Sequence, residues 1–523
     1  MDRLPELMAL FAGALAVSAV ARRWNLSGPL TLVVVGLALS YLPGLPDYRL
    51  DPEVVLVLIL PPLLYTAALS SSSAGIRANL RPIGLLAFGL VLFSTAVGGL
   101  IAWWLVPGMP LGVALVLGAV IAPPDAVAAT SIGRRLGLPR RIMTVLSGES
   151  LLNDATALTA YRVAVAGVIG TGYTLLAGVG AFLLAAAGGL VVGLAAGWIV
   201  HRARPLMGDG RLESALGLLV PFAVYLLAEE IHASGVLAVV VAGLYLGQRT
   251  PAADAATRLQ DRAVWQSADT LLEAVVFALI GLQLRVVVDG VSDRLGPLVV
   301  TGLALTAGMV LARGAWVWTT LYLPGLLSRR RGRPLWRHAL VVAWAGMRGV
   351  VSLAAASAIP VTTDAGLPFP FRDDVLFLAF FVTLATLLLH GLTLPWVIRR
   401  LGVRGQESYT DALAEAEASH VAARAAQERL AALTEKSEPP PGVAERLRRV
   451  SEHRTNRAWE RLGRSADEVG ESPSEAYRRL RGEMLAAERE VFVRFRDERR
   501  IDDEVLRRVM HELDLEELTL RRE

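Results

Sequence analysis

The chain has 523 residues, 54% of them hydrophobic, a mean hydropathy of +0.49 and no cysteine. That is too apolar for a soluble multidomain protein of this length, and the missing cysteines exclude a disulfide framework, a thiolate metal site and a cysteine nucleophile. Seven histidines with no HExxH pattern argue against a zinc enzyme, and a net charge of +4 is too small to suggest nucleic-acid binding.

The net charge is an average over two unlike parts. Residues 402–523 carry 23 of the 52 basic and 27 of the 48 acidic residues, so they sum to −4, and residues 1–401 keep 29 and 21, or +8. We read residues 1–401 as a membrane domain and residues 402–523 as a polar, mostly helical tail.

A spanning helix needs about 20 apolar residues. Thirteen runs approach this, at 4–21, 28–43, 53–69, 82–106, 111–132, 141–169, 174–200, 212–230, 234–248, 265–287, 296–323, 337–360 and 375–400. The first has no cleavage-like end and reads as a spanning helix, with no separate signal peptide. Connections after odd-numbered spans hold most of the loop arginines, among them Arg134, Arg135, Arg140 and Arg141, and Arg329, Arg330, Arg331 and Arg333. Connections after even-numbered spans hold only Arg49, Arg285, Arg294 and Arg372. By the positive-inside rule the N-terminus is outside and the tail cytoplasmic. Thirteen spans divide into six, one linker and six, which gives the two sixes opposite topology. Inverted repeats of this kind are a secondary-transporter architecture, with the site at the repeat interface near mid-membrane.

Charged groups deep in a bilayer cost about 2.5–3.5 kcal/mol each on the insertion scale and are functional candidates by default. The fifth span contains Pro123-Pro124-Asp125, and two prolines in mid-span predict a break with freed carbonyls beside Asp125. In the sixth span Glu149, Asn153 and Thr156 share one helical face, and Ser150 and Asp154 the neighbouring one. Asp154 lies about 20 Å along that helix from its cytoplasmic start, at 1.5 Å per residue. Asp125, Glu149 and Asp154 are therefore expected to meet at mid-membrane. Arg313 in the eleventh span and Arg348 in the twelfth lie at similar depth. Arg348 stands in Gly346-Met347-Arg348-Gly349, where glycines allow an unwound turn at the repeat counterpart of the fifth-span break. Glu229 and Glu273 are further acids within apolar runs. Structural ion pairing is a competing reading for all of these groups, weakest for Asp154. One carboxylate among neutral oxygens suits exchange of a hard monovalent cation for protons.

The glycines of the seventh span (Gly188, Gly189, Gly193, Gly197) read as helix packing by small residues. No phosphate-binding loop and no GxSxG elbow is present, so an enzyme is not expected. In the tail, residues 402–437, 443–466, 472–495 and 500–520 read as helices of a regulatory or dimerising bundle, with Val491, Phe492, Phe495, Val505 and Leu506 as apolar positions.

Several stretches resemble the bacterial sodium/proton antiporters of the monovalent cation:proton antiporter-1 family, the NhaP- and NHE-type exchangers. They are Leu60-Pro61-Pro62-Leu63-Leu64-Tyr65, Pro123-Pro124-Asp125-Ala126-Val127-Ala128 and Gly148-Glu149-Ser150-Leu151-Leu152-Asn153-Asp154-Ala155. Ser234-Gly235-Val236-Leu237-Ala238 and Gly346-Met347-Arg348-Gly349 complete the set. The resemblance covers about residues 5–401. It implies an all-α membrane protein of the NhaA-like fold, with inverted six-helix repeats, discontinuous fifth and twelfth spans that cross, and homodimerisation in the bacterial cytoplasmic membrane. It implies electroneutral exchange of Na⁺ or Li⁺ for H⁺ in pH homeostasis, with no cofactor. Asp154 would be the ion- and proton-carrying carboxylate. Asp125, Ser150 and Asn153 would join it, and Asn153-Asp154 would be the pair typical of electroneutral members. Glu149 would pair with Arg313 or Arg348, and Glu273 would belong to the supporting charges. Thr66 and Thr156 are further candidate ligands. Thr66 stands where many members carry an acid, and Pro124-Asp125-Ala126 replaces the Thr-Asp-Pro of archaeal and animal types. Exchange of K⁺ for H⁺ by the same fold, a gated cation channel, and an intramembrane protease using Asp125 and Asp154 are the competing functions.

Overall fold

The computed structural model describes residues 4–43, 53–170, 175–250, 255–322, 336–405, 407–436, 440–452 and 473–522. Among these the chain is helical, with one isolated bridge between Thr362 and Pro368. It forms two compact units, Met1–Gly405 and Gln406–Glu523.

The first unit contains α1 (Leu4–Arg23), α2 (Gly28–Leu39), α3 (Val54–Leu69), α4 (Ser73–Ala78), α5 (Leu80–Leu105), α6 (Leu111–Ile121), α7 (Ala126–Arg135) and α8 (Arg140–Ile169). After these come α9 (Leu175–Met207), α10 (Gly210–Glu230), α11 (Gly235–Arg249), α12 (Ala255–Leu282), α13 (Leu284–Asp289), α14 (Leu295–Val317), α15 (Trp336–Trp344), α16 (Val350–Ser357) and α17 (Arg372–Leu401). Seven described helices are long and apolar enough to cross a membrane, and α2, α3, α6 and α11 are shorter apolar helices. The fifth expected span is two helices, α6 and α7, and the twelfth is α15 and α16. Arg49 and the cluster Arg329 to Arg333 lie outside the described residues.

The helices of this unit pack in two groups. One comprises α5 to α8 and α14 to α17, the other α1 to α3 and α9 to α12. The glycines of α9 act as the sequence suggests. A Cβ on Gly189 would stand 2.6 Å from the Ser234 carbonyl oxygen, and one on Gly193 would stand 2.8 Å from Cβ of Val241, so α9 lies directly on α11. Both helices belong to the second group.

The second unit contains α18 (Glu407–Lys436), α19 (Pro473–Asp497) and α20 (Asp503–Arg522). Leu485, Leu513 and Leu520 form a small core between α19 and α20, with Phe492 against it. Val491 and Val505 are exposed. The Arg481 guanidinium grips Glu516 at 2.7 and 2.8 Å, which holds that carboxyl below the usual range. Residues 443–452 are helical, and the rest of the helix expected over 443–466 falls outside the described residues.

Gly193→Leu is expected to force α9 off α11 and to destabilise the unit by about 1–3 kcal/mol, the usual cost of overpacking. Thermal unfolding in detergent would register this as a lowered midpoint.

Candidate functional site

The site is built where two interrupted helices meet. Pro123 and Pro124 cannot donate, and α6 ends at Ile121, leaving an extended segment before α7. Asp125 caps α7: its Oδ1 accepts from the Val127 amide at 2.8 Å. In the second strand of the crossing, α15 ends at Trp344 and α16 begins at Val350. The two breaks are hydrogen-bonded directly, because the Asp125 amide donates to the Met347 carbonyl at 2.7 Å. Gly349 is required at this contact. A Cβ there would clash with the Asp125 carboxylate.

Arg348 holds the crossing from within. It is 1% exposed, and its guanidinium donates to the Ile121 carbonyl at 3.1 Å and the Gly346 carbonyl at 2.8 Å. Its amide donates to the Thr386 hydroxyl on α17 at 3.2 Å. The cation therefore sits at the C-terminal ends of α6 and α15, where unpaired carbonyls and the helix dipoles favour positive charge.

The sixth expected span is one continuous 30-residue helix, α8. Of its polar face, Glu149 does not join the other two carboxylates in an open cluster. Arg313 of α14 donates to both Glu149 oxygens, at 2.9 Å for the Nη2 contact, and to the Val342 carbonyl through Nε and Nη2 at 3.2 and 3.0 Å. Both side chains are at most 3% exposed. Arg313, and not Arg348, is thus the partner of Glu149, and it ties α8 to α14 and to the end of α15.

One turn on, Asn153 is fully buried. Its amide donates to the Pro124 carbonyl at 2.6 Å, and its Oδ1 has no partner among the described residues. Asp154 is buried beside it, accepts no hydrogen bond from a described residue, and lies within electrostatic reach of Asp125. Ser150 is half-buried one turn before Asp154. Thr156 donates back to the Leu152 carbonyl at 3.1 Å, within its own helix. So the crossing brings together Asp125, Asn153 and Asp154. They present two carboxylates and one buried amide oxygen that needs a donor or a cation. Among the described residues no three His, Asp or Glu side chains gather as a metal-holding group. An oxygen shell for a cation here would have to add hydroxyl or carbonyl oxygens to the two carboxylates.

Thr66 belongs to the other group of helices. Its hydroxyl donates to the Leu63 carbonyl at 3.0 Å and to Asp269 Oδ1 at 2.7 Å. Asp269 was not singled out by the sequence. Its signal was its place one turn before Glu273 near the start of an apolar run, a spacing that puts both acids on one face of α12. Glu273 is half-buried within electrostatic range of Asp269 and Asp125, and it stands apart from the Glu149–Arg313 pair. Glu229, whose role the sequence left open, binds Arg162 through both oxygens at 2.9 and 2.7 Å.

Removing one partner of a buried pair strands the other charge. Glu149→Ala or Arg313→Ala is expected to destabilise the first unit by about 3–5 kcal/mol, and replacing both by apolar residues of similar volume by much less. Unfolding of the purified single and double variants in detergent would give the three values.

Residues 6–400 match the family model described as the transmembrane sodium/hydrogen exchanger. A Na⁺/H⁺ exchanger of Mycobacterium bovis is 35% identical over 530 residues, covering 99% of this chain and 96% of that protein. A Na⁺/H⁺ exchanger of Escherichia coli is 31% identical over 94% of both chains. A sodium, potassium, lithium and rubidium/H⁺ antiporter of Bacillus pumilus is 30% identical, covering 70% of this chain and 57% of that protein. The solved sodium proton antiporter of Methanocaldococcus jannaschii superposes with a TM-score of 0.60 at 18% identity, covering 77% of this chain and 99% of that one, which shows a shared fold. The broken helices, the buried charges of the crossing and these matches agree: the chain is a multi-pass membrane protein of the sodium/hydrogen exchanger family, a family of antiporters.

Proposed function

We propose that this chain exchanges Na⁺ or Li⁺ for H⁺ without net charge movement, with cation and proton competing for Asp154. The observation that carries this reading is the buried Asp154 carboxylate, which accepts no hydrogen bond from a described residue, beside an Asn153 oxygen that has no partner among the described residues. Burial penalises a bare carboxylate, so a proton or a cation must neutralise it. Asp125 is the second carboxylate, and Ser150 supplies a hydroxyl from the turn below. Asn153 cannot titrate. It fixes the Asp125 segment through the Pro124 carbonyl and adds an oxygen without adding a charge. Glu149 and Arg313 neutralise each other, so they add no charge to the exchange.

The loaded, neutral site then opens to one side or the other as the group carrying α6, α8 and α16 shifts against the group carrying α3, α11 and α12. We place the N-terminus outside and the second unit in the cytoplasm, because the loop arginines lie on one side of the spans. On this reading the protein acts in bacterial pH homeostasis as a homodimer, and residues 402–523 serve regulation or dimerisation. Exchange of K⁺ is the second reading. It is favoured by the Bacillus pumilus relative, whose name includes potassium and rubidium.

Proteoliposomes loaded with Na⁺, Li⁺ or K⁺ at several pH values test both. The wild type should exchange cation for protons at a rate unchanged by an imposed membrane potential. Asp154→Asn should fall to the level of empty vesicles. Exchange that survives in Asp154→Asn removes Asp154 as carrier, and a rate that follows the potential removes electroneutrality.

A further inference from the structure

At the end of α8 remote from Pro139, one ion pair joins the two helix groups. Arg162 lies two turns past Asp154, about 12 Å along the helix at 1.5 Å per residue. Its guanidinium donates to Glu229 at 2.9 and 2.7 Å. Arg162 is on α8, in the group that holds the crossing. Glu229 is in the last turn of α10, in the other group.

Glu229 is itself held firmly. Its Oε1 also accepts from the Gly235 amide at 3.1 Å, at the start of α11. The turn between these helices is tied to α9, because the Ser234 amide donates to the Ala185 carbonyl at 2.9 Å. Gly235 leaves no room beside the pair: a Cβ there would meet the Tyr225 ring at 2.8 Å and Glu229 Oε1 at 2.9 Å. Between Arg162 and Asp154, Leu158 and Ala155 are buried in a cluster that also contains Val236 and Val239 of α11. Movement of α8 away from α10 and α11, which would open this end towards Asp154, parts Arg162 from Glu229.

We propose that Arg162 and Glu229 form a latch that closes the outer side of the exchanger, and that they set how often the site opens outward. The inference rests on the antiporter reading and its orientation. The pair is partly exposed, with side-chain exposures of 45% and 27%. A pair of this kind is worth about 1 kcal/mol at most, or about five-fold in an equilibrium. That suits a contact made and broken in every cycle. Salt should weaken it.

The chain has no cysteine, so a single introduced one reports alone. Leu158→Cys in the full chain, in membranes, can be titrated from outside with a membrane-impermeant maleimide, and Ala155→Cys serves if Leu158→Cys does not fold. Added Arg162→Gln or Glu229→Gln should raise the labelling rate about two- to five-fold. Glutamine at 229 keeps an oxygen for the Gly235 amide, so the loss is of the ion pair alone. Arg162→Lys should restore slow labelling, and the double glutamine variant should label no faster than either single one, because both remove the same interaction. Unchanged labelling in Arg162→Gln, or effects of the two single variants that multiply in the double variant, overturns the latch. Cation exchange measured on the same proteins separates the two ideas. Absent exchange in the wild type refutes the antiporter reading, whereas working exchange with unchanged labelling refutes only the latch.

Discussion

The structure depends on a backbone problem solved at the crossing of α6–α7 and α15–α16. Interrupting two helices inside an apolar bundle frees carbonyls that neither lipid nor water can satisfy. Here four of the freed carbonyls have a partner. Arg348 takes the Ile121 and Gly346 carbonyls, Asn153 takes the Pro124 carbonyl, and the Asp125 amide takes the Met347 carbonyl. The prolines that make the break and the arginine that fills it are two halves of one device. The result is a pocket of oriented polar groups beside Asp125 and Asp154, held without a large charge imbalance.

The surrounding charges fall into separate roles. Glu149 and Arg313 satisfy each other and fasten α8 to α14, so they stiffen the group that carries the site. The Arg348 guanidinium binds the Ile121 and Gly346 carbonyls, so among the described residues it pairs with neither carboxylate of the crossing. Had Arg348 paired with Asp125 or Asp154, a mobile cation would have had to compete with a tethered one. The division explains how a membrane core can hold two buried arginines while Asp154 accepts no hydrogen bond from a described residue.

Much of this was legible in the chain. Pro123-Pro124 and Gly346-Met347-Arg348-Gly349 announced the two breaks, because proline and glycine act on the backbone locally and need no tertiary information. The spacing of Glu149, Asn153 and Asp154 put them on neighbouring turns of one helix, as in α8, because helix periodicity is rigid. What sequence could not settle was which residues meet across helices. Glu149 had two possible arginines, and only the packing of α14 on α8 chose Arg313. Thr66 read as a candidate ligand, but its hydroxyl donates to Asp269, an acid about 200 positions away whose importance is purely a matter of approach. Glu229 read as an acid of open role because its partner, Arg162, lies 67 positions earlier on another helix.

The crossing also constrains how the molecule is made. Residues 121–125 belong to the first quarter of the chain to be synthesised, yet Arg348 and Met347 follow more than 200 residues later. Until then the Ile121 carbonyl lacks its guanidinium and the Asp125 amide lacks its acceptor. The first break must therefore wait in the translocation machinery, against water, or in a temporary local structure. The crossing is completed in one late step, when α15 and α16 insert, and a chain truncated before Gly346 would carry Asp125 and Asp154 without the backbone partners that close the crossing.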